Sequence, residues 1–149
     1  MTRTKRMQPV QRVAESRENT AAKHMSESRQ KLSDQEARLK ELQTYRDQYA
    51  AQFSTRGHAG LDALQLHDYR IFLSRLNQAI QQQELIIVQC RNQHHQNQDQ
   101  WNDLHRHTQV VDKLIERFKA DEQHEQKKRE QQMLDEHAQR MHRHSQKTK

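Results

Sequence analysis

The chain of 149 residues is 31% apolar and 31% charged, with a formal net charge of +6, two glycines and one proline. So few turn residues, and few strand formers outside the repeats described below, argue against a β-sheet. The longest apolar run, residues 85–88, is far shorter than the roughly 20 residues that a membrane span needs. The composition therefore predicts long helices with a thin core rather than a globular domain.

The single cysteine cannot form a disulfide within the chain. Cys90 falls in an apolar pattern, which favours a small buried side chain over a reactive thiol. The basic N-terminal residues are followed by no hydrophobic segment, so we expect no secretory signal. These features predict a cytoplasmic protein.

The first predicted helix runs from about residue 8 to about residue 55. Residues 1–8 have no apolar periodicity, so we expect them to be frayed. Pro9 suits the first turn of a helix, because its missing N–H needs no partner there. An apolar heptad repeat follows, weak at first and clear from Leu32 to Phe53. This helix should therefore have one apolar face near its C-terminal end.

Both glycines of the chain lie in residues 56–61, which we expect to form a turn. Gly57 suits the left-handed backbone conformation that commonly follows a helix. Asp62 suits the first turn of the next helix, where a carboxylate interacts favourably with the helix dipole. No proline or glycine follows Gly60, so the second helix can extend from about residue 62 to about residue 142.

The second predicted helix carries a heptad repeat in which 12 of 16 positions are apolar. A 3.5-residue period of this length places one narrow apolar line, here called the seam, along a helix that packs against another helix. One series of the repeat comprises Leu66, Leu73, Ile80, Ile87, His94, Trp101, Thr108 and Ile115. The other comprises Tyr69, Leu76, Gln83, Cys90, Asn97, Leu104, Val111 and Phe118.

Two helices with apolar seams and a short turn predict an all-α fold, an antiparallel coiled-coil hairpin that forms a single rod over residues 1–149. If the turn centres near residue 59, the numbers of facing residues sum to about 118. Tyr49 then faces Tyr69, and Phe53 faces Leu66. The pairs near the turn are apolar on both sides, so this half of the coil should be the more stable one.

The second helix is predicted to be longer than the first, with a protruding C-terminal end. By the same register Val111, Ile115 and Phe118 face the frayed first residues and lack a partner within the chain. Both ends are also basic: residues 1–31 hold eight lysines or arginines against three acids, and residues 127–149 hold seven against three. One end of the hairpin should therefore be basic, apolar and loosely paired.

The 11 histidines raise the question of a metal site. His137, Met141 and His144 share one helix face, but a helix end offers neither converging ligands nor side chains that orient them. We therefore predict no metal and no cofactor. Two helices without a pocket also cannot assemble a phosphate loop or a catalytic triad, so we predict no catalytic residues and no enzymatic activity.

Nucleic acid would suit a sequence pI near 9.7. Acidic residues interrupt both basic ends, however, and no dense basic run occurs. We predict no nucleic-acid binding and no membrane insertion, and keep a DNA-binding helical protein as the least favoured alternative. Such a protein would bind DNA with a steep dependence on salt.

Tyr45 and Phe72 flank the predicted seams, immediately before Arg46 and Leu73. Two interpretations are open: flanking aromatic side chains can shield a core, or they can form a protein-binding patch. Neighbouring residues would complete an aromatic and aliphatic band beside the turn: Leu42, Tyr49, Leu76 and Ala79.

Three segments resemble the flagellar type III export protein family FliJ. They are LKELQTYRDQY at residues 39–49, YRIFLSRLNQAIQQQ at residues 69–83 and KKREQQMLDEHAQR at residues 127–140. The length, the basic pI and the two-helix pattern also agree with this family. Arg38 and Gln83 depart from the pattern, since some relatives have Gln and His there.

The resemblance implies a cytoplasmic component of the flagellar export apparatus, peripheral at the inner face of the cell membrane. FliJ proteins are antiparallel coiled coils that dock in the ring of the export ATPase FliI, promote its assembly and connect it to the export-gate protein FlhA. They also cycle export chaperones. By resemblance, the gate-binding surface comprises Leu42, Tyr45, Tyr49, Phe72, Leu76 and Ala79.

We further hypothesise that the end formed by both termini contacts the ATPase ring. The residues assigned to this contact are Arg12, Val111, Ile115, Phe118 and Arg140. A generic coiled-coil adaptor, or the equivalent stalk of a virulence injectisome, is the alternative. The oligomeric state stays open, because the half-empty seam beyond Trp101 could also pair with a second copy.

Overall fold

The computed structural model describes residues 2–57 and 60–148. Within these ranges it contains two helices and no strand: α1, Arg3–Gly57, and α2, Ala63–Lys147. The two long helices pack against each other, which confirms the predicted fold class. The chain divides into two compact units, unit 1 with residues 1–19 and 103–149 and unit 2 with residues 20–102. The single rod over the whole chain stays a prediction.

The first helix begins at Arg3, before the predicted start near residue 8. Thr2 caps it: the Thr2 hydroxyl oxygen accepts a hydrogen bond from the backbone N–H of Lys5 at 3.3 Å. In addition, the N–H and the hydroxyl of Thr4 donate to the two carboxylate oxygens of Glu122 at 3.1 and 3.0 Å. These contacts are polar, so an apolar repeat does not reveal them.

As a consequence, Pro9 lies inside α1 and not in its first turn as predicted. Because proline has no N–H, the carbonyl of Lys5 loses the helical hydrogen bond that it would otherwise accept. The misplacement follows directly from the late predicted start of the helix.

The turn differs from the prediction at its glycines. Gly57 is the last residue of α1, whereas Gly60 has a positive φ of 93° and is the left-handed residue. The N–H of Gly60 donates to the carbonyl of Gly57 at 3.4 Å. His58 and Ala59, which belong to the predicted turn, lie outside the described residues, as do Met1 and Lys149 at the ends predicted to be frayed.

Asp62 lies immediately before α2 and caps it. Its carboxylate accepts the backbone N–H of Gln65 at 2.8 Å, and the side-chain oxygen of Gln65 accepts the N–H of Asp62 at 3.3 Å. This reciprocal pair is a capping box, which satisfies two donors at the start of the helix. The helix ends at Lys147, beyond the predicted end near residue 142.

In unit 2 the buried side chains follow the predicted seam. They are Ala21, Leu76, Ile80, Gln83, Ile87 and Cys90. Polar seam residues pair across the two helices: the side-chain amide of Gln83 donates to the backbone carbonyl and the side-chain oxygen of Gln35 at 3.0 and 2.7 Å. The seam of unit 2 is therefore thin and partly polar, as its sequence predicts.

The register of unit 2 is displaced from the predicted one. Phe53 stacks on Tyr69, with ring centroids 3.5 Å apart, and Leu66 is exposed. Ser28 lies 2.9 Å from His94. The numbers of these paired residues sum to 122 and not to about 118, so the two helices face each other about residue 61 and not about residue 59. The predicted contact of Tyr49 with Tyr69 is confirmed, at 5.4 Å between ring centroids.

In unit 1 the seam continues to the first turns of α1, with Thr4, Ala14, Thr108, Val111 and Ile115 buried. The Thr108 hydroxyl lies 3.4 Å from the carbonyl oxygen of Ala14. The prediction that Val111 and Ile115 lack a partner within the chain is therefore wrong, since each is only 4% exposed. It failed because α1 starts early enough to cover this part of α2.

Beyond Glu122 the packing of α2 ends, and every described residue from 123 to 148 is exposed. The positions that would continue the heptad are polar, namely Glu125, Arg129, Gln132 and Glu136. A seam without apolar side chains cannot hold another helix. This part of unit 1 is called the C-terminal segment below.

Candidate protein-interaction surfaces

Five aromatic side chains of unit 2 form one cluster, called here the aromatic cluster: Tyr45, Tyr49, Phe53, Tyr69 and Phe72. Tyr49 contacts Phe72 with ring centroids 4.4 Å apart, and Tyr45 meets Phe72 edge to face at 5.9 Å. Such pairs stabilise a contact by about 0.5–1.5 kcal/mol beyond the area that they bury. The cluster therefore orients its outermost ring, Tyr45, which is 51% exposed.

Helix spacing explains which rings are accessible. Tyr49, Phe53 and Tyr69 occupy seam positions, whereas Tyr45 and Phe72 occupy the positions that flank the seam on one side. Seam rings are half-buried between the helices, and flanking rings extend the packed surface outward. The aromatic cluster thus covers the seam and also exposes one tyrosine, and the protein-binding patch stays a prediction.

The same flanking line continues along α2. Ala79 is half-buried, and Ile86, seven residues further on, is 40% exposed. Ile86 borders an open cavity of 250 Å³ with Lys31 and Cys90. The sequence-based prediction placed Phe53 and Tyr69 on the seams but not in the aromatic band, and it did not single out Ile86. Their heptad positions relative to Tyr49 and Phe72 would have indicated all three.

A second candidate surface is the C-terminal segment of unit 1. Met133, Leu134 and Met141 are between 61% and 69% exposed. Met133 and Leu134 lie near Glu130, His137 and Arg140 on the same exposed stretch of helix. At about 100° per residue, Leu134 and Met141 share one line on a face of α2 away from the seam, whereas Met133 flanks the seam. The segment therefore presents its own apolar line, with charged residues on both sides.

A half-buried polar contact lies between the helices of unit 1. Nδ1 of His105 donates to a carboxylate oxygen of Glu18 at 2.6 Å. This hydrogen bond, helped by a further one from Thr108, lowers the pKa of Glu18 below its usual value, although partial burial acts in the opposite direction. Glu18 therefore stays ionised in the folded unit.

Among the described residues, no three His, Cys, Asp or Glu side chains are arranged to hold a metal ion. Within the same part of the chain, neither helix contains a stretch long and apolar enough to cross a membrane.

A model of the flagellar FliJ protein family matches residues 4–147, nearly the whole chain. The chain belongs to the FliJ family. No curated protein and no solved structure matches it at a significant level. The family match includes both surfaces described above and supports a role in flagellar protein export.

The gate-binding residues inferred from the FliJ resemblance all lie in unit 2. Tyr45, Tyr49 and Phe72 belong to the aromatic cluster, and the other three lie near it. Tyr45 is exposed, Leu76 is buried, and Leu42, Tyr49, Phe72 and Ala79 are half-buried. The structure thus brings these six residues to one part of unit 2. A partner can reach Tyr45, Phe72 and Ala79 more readily than Leu76, whose side chain supports the others from within the seam.

The ATPase-binding residues predicted for this FliJ-family chain are spread over unit 1. Arg12 and Arg140 are exposed, whereas Val111 and Ile115 are buried. Phe118 is half-buried, with the guanidinium of Arg3 lying 5.7 Å from its ring centroid. Val111 and Ile115 therefore stabilise unit 1 from inside and offer no free surface.

Proposed function

We propose that this FliJ-family chain is a non-catalytic, cytoplasmic stalk of the flagellar export apparatus, peripheral at the inner face of the cell membrane. In this proposal it docks in the ring of the export ATPase FliI, links the ring to the export-gate protein FlhA and cycles export chaperones. The observation that carries the proposal is the C-terminal segment, a helix of which every described residue is exposed. The match to a flagellar family favours this role over an injectisome stalk.

The ring contact is assigned to exposed residues of unit 1. Leu134 and Met141 supply apolar side chains, and Arg140 lies beside them. Arg12 is a further exposed cation of this unit. A helix with an apolar line flanked by charges can insert into a groove of a partner, where apolar burial gives affinity and the charges fix orientation. Val111 and Ile115 keep a supporting role, because they are buried.

The gate contact is assigned to the aromatic cluster and Ala79. Exposed aromatic side chains held by rigid neighbours are favourable binding residues, since little conformational freedom is lost on binding. Tyr45 is such a residue, because Phe72 fixes its ring from the side.

The mechanism requires no chemistry from this chain. A helix docked in a ring of identical subunits contacts them unequally, so it favours one arrangement of the ring over others and thereby alters the rate of hydrolysis. The size of the effect is limited by the difference in binding free energy between those arrangements.

The test is ATP hydrolysis by the cognate export ATPase, with and without this chain at matched concentration. We expect stimulation by the wild-type chain, and weaker stimulation by Leu134→Ala with Met141→Ala, by Arg12→Glu and by Arg140→Glu. Val110→Ala is the matched control, because Val110 is 64% exposed in the same unit but lies outside the C-terminal segment. Wild-type stimulation that all of these variants retain would contradict the assigned ring contact.

A further inference from the structure

The outer face of α2 in unit 2 carries a line of residues without a single Lys, Arg, Asp or Glu. Its ten positions are spaced alternately three and four residues apart, over about 46 Å of helix. At about 100° per residue this line lies opposite the seam residues Ile80, Gln83 and Ile87. The members of this outer line are Leu64, His67, Ile71, Ser74, Gln78, Gln81, Leu85, Val88, Asn92 and His95.

The composition of the outer line is unusual for a solvent-facing surface. The chain is 31% charged, and the face of a helix opposite its packed stripe normally holds most of the charged residues. Here four positions are apolar instead: Leu64 is 69% exposed, Leu85 65%, Val88 50% and Ile71 38%. Four exposed apolar side chains on an uncharged line with regular three- and four-residue spacing indicate a second seam that another helix covers.

We propose that a second copy of this chain covers the outer line, with the two α2 helices antiparallel about a two-fold axis between Gln78 and Gln81. A two-fold axis makes the contact self-complementary, so that every pair of residues occurs twice. In this register Ile71 packs against the partner's Val88, and Ser74 lies beside the partner's Leu85. Gln78 meets the partner's Gln81, and each amide supplies both donors and an acceptor.

The seam of unit 2 gives the rule for residues that flank such a contact. In that seam the residue numbers of two facing core residues sum to 122. The residue numbers of the flanking pair, Tyr45 and Phe72, have a sum that is smaller by five. The same rule applied to the outer line places Arg70 opposite the partner's Glu84, twice per dimer. Both side chains are exposed, and neither forms an ion pair within residues 2–57 and 60–148.

Charge also decides the direction of the helices. A parallel pair would bring Arg70 next to the partner's Arg75, because flanking residues of parallel coils meet at a spacing of about five residues. Like charges at such positions are unfavourable. The antiparallel arrangement avoids this contact and forms two pairs of opposite charge instead.

Sedimentation equilibrium of the full chain tests the proposal. We expect a monomer–dimer equilibrium with a dissociation constant in the micromolar range, since each copy contributes only four apolar side chains. Leu85→Lys with Val88→Lys should weaken dimerisation at least tenfold. Val110→Lys is the matched control, because Val110 is 64% exposed on α2 in unit 1, outside the outer line, and it should leave the dimer intact.

A charge exchange tests the register. Glu84→Arg should weaken the dimer by placing two cations together, and Arg70→Glu combined with Glu84→Arg should restore it. Circular dichroism of each variant checks that the helices are retained. A chain that stays monomeric at all concentrations, or a dimer that survives Leu85→Lys with Val88→Lys, would overturn the proposal.

Cross-linking tests the direction of the helices in a Cys90→Ala background. A mixture of Gln78→Cys and Gln81→Cys chains should cross-link with a short bismaleimide more efficiently than either variant alone. Equal cross-linking of Gln78→Cys alone would indicate a parallel pair and contradict the proposed axis.

Discussion

Gln83 lies on the seam of unit 2 and is only 4% exposed. A buried amide normally lowers stability unless its hydrogen bonds are made, and here both amide hydrogens reach Gln35. Polar pairs of this kind align two helices, because any other register leaves the amide without partners. Gln83 therefore contributes to the choice of register more than to the free energy of folding.

At the same scale, Glu18 predicts how stability depends on pH. The fold lowers the pKa of Glu18, mainly through the hydrogen bond from His105. Folding therefore favours the ionised form of Glu18. The resulting contribution to the free energy of unfolding is fully present above the usual pKa of 4.5, and it is lost as the pH falls through the lowered pKa of the folded state. Glu18→Gln should reduce the free energy of unfolding at neutral pH and flatten its decline below about pH 5.

Urea unfolding followed by circular dichroism at several pH values measures this effect. Glu15→Gln is the matched control, because Glu15 is an exposed acid on the preceding turn and should leave the profile unchanged. Identical pH profiles for Glu18→Gln and the wild type would show that the His105 contact does not stabilise the fold.

At the scale of elements, the first turns of α1 depend on Glu122. This side chain accepts two hydrogen bonds from Thr4, so Glu122→Ala removes a cap supplied by the other helix. We expect a loss of about 1 kcal/mol in the free energy of unfolding and faster amide exchange near Thr4. Hydrogen exchange with mass spectrometry over the first residues measures the change.

Glu125→Ala serves as the control for that substitution. Glu125 is exposed and pairs with Arg129 at 3.9 Å, one turn away on the same helix. Surface pairs of this type contribute little. Equal exchange rates in both variants would mean that the start of α1 does not depend on Glu122.

Heptad spacing predicted the existence of both helices and the seam of α2, and the position of the two glycines predicted where the chain turns. It did not predict the start of α1, because Thr4 and Gln11 occupy seam positions without being apolar. Gln11 donates to Asp112 at 2.9 Å, a contact that only the packed helices reveal. The predicted register was also wrong, since it assumed a turn centred near residue 59, whereas the facing residues are centred near residue 61.

At the scale of the whole molecule, the two candidate surfaces belong to different units. The aromatic cluster lies in unit 2 and the C-terminal segment in unit 1. If the proposed function is right, the two contacts should be separable by mutation. Tyr45→Ala with Phe72→Ala should weaken binding to FlhA at least tenfold, because truncating an aromatic residue at the centre of an interface can cost about 2 kcal/mol or more. Stimulation of the ATPase should stay unchanged.

The converse variant completes the comparison. Leu134→Ala with Met141→Ala should reduce ATPase stimulation and leave FlhA binding unchanged, with both quantities measured on the same preparations. Loss of helicity in Tyr45→Ala with Phe72→Ala would support the interpretation that these rings only shield the seam. Loss of both activities in either variant would contradict two independent contacts.

The sequence by itself determined a chain of two long helices, because charged and polar residues outside one heptad line leave no other way to bury apolar surface. Tertiary structure decided which of those apolar residues are accessible. Val111 and Ile115 are buried because polar residues at the start of α1 extend the packing. The C-terminal segment is free because α2 extends past the start of α1, where Thr4 already pairs with Glu122. Contacts between distant polar residues depend on the register of the two helices, and periodicity along one helix does not contain that information.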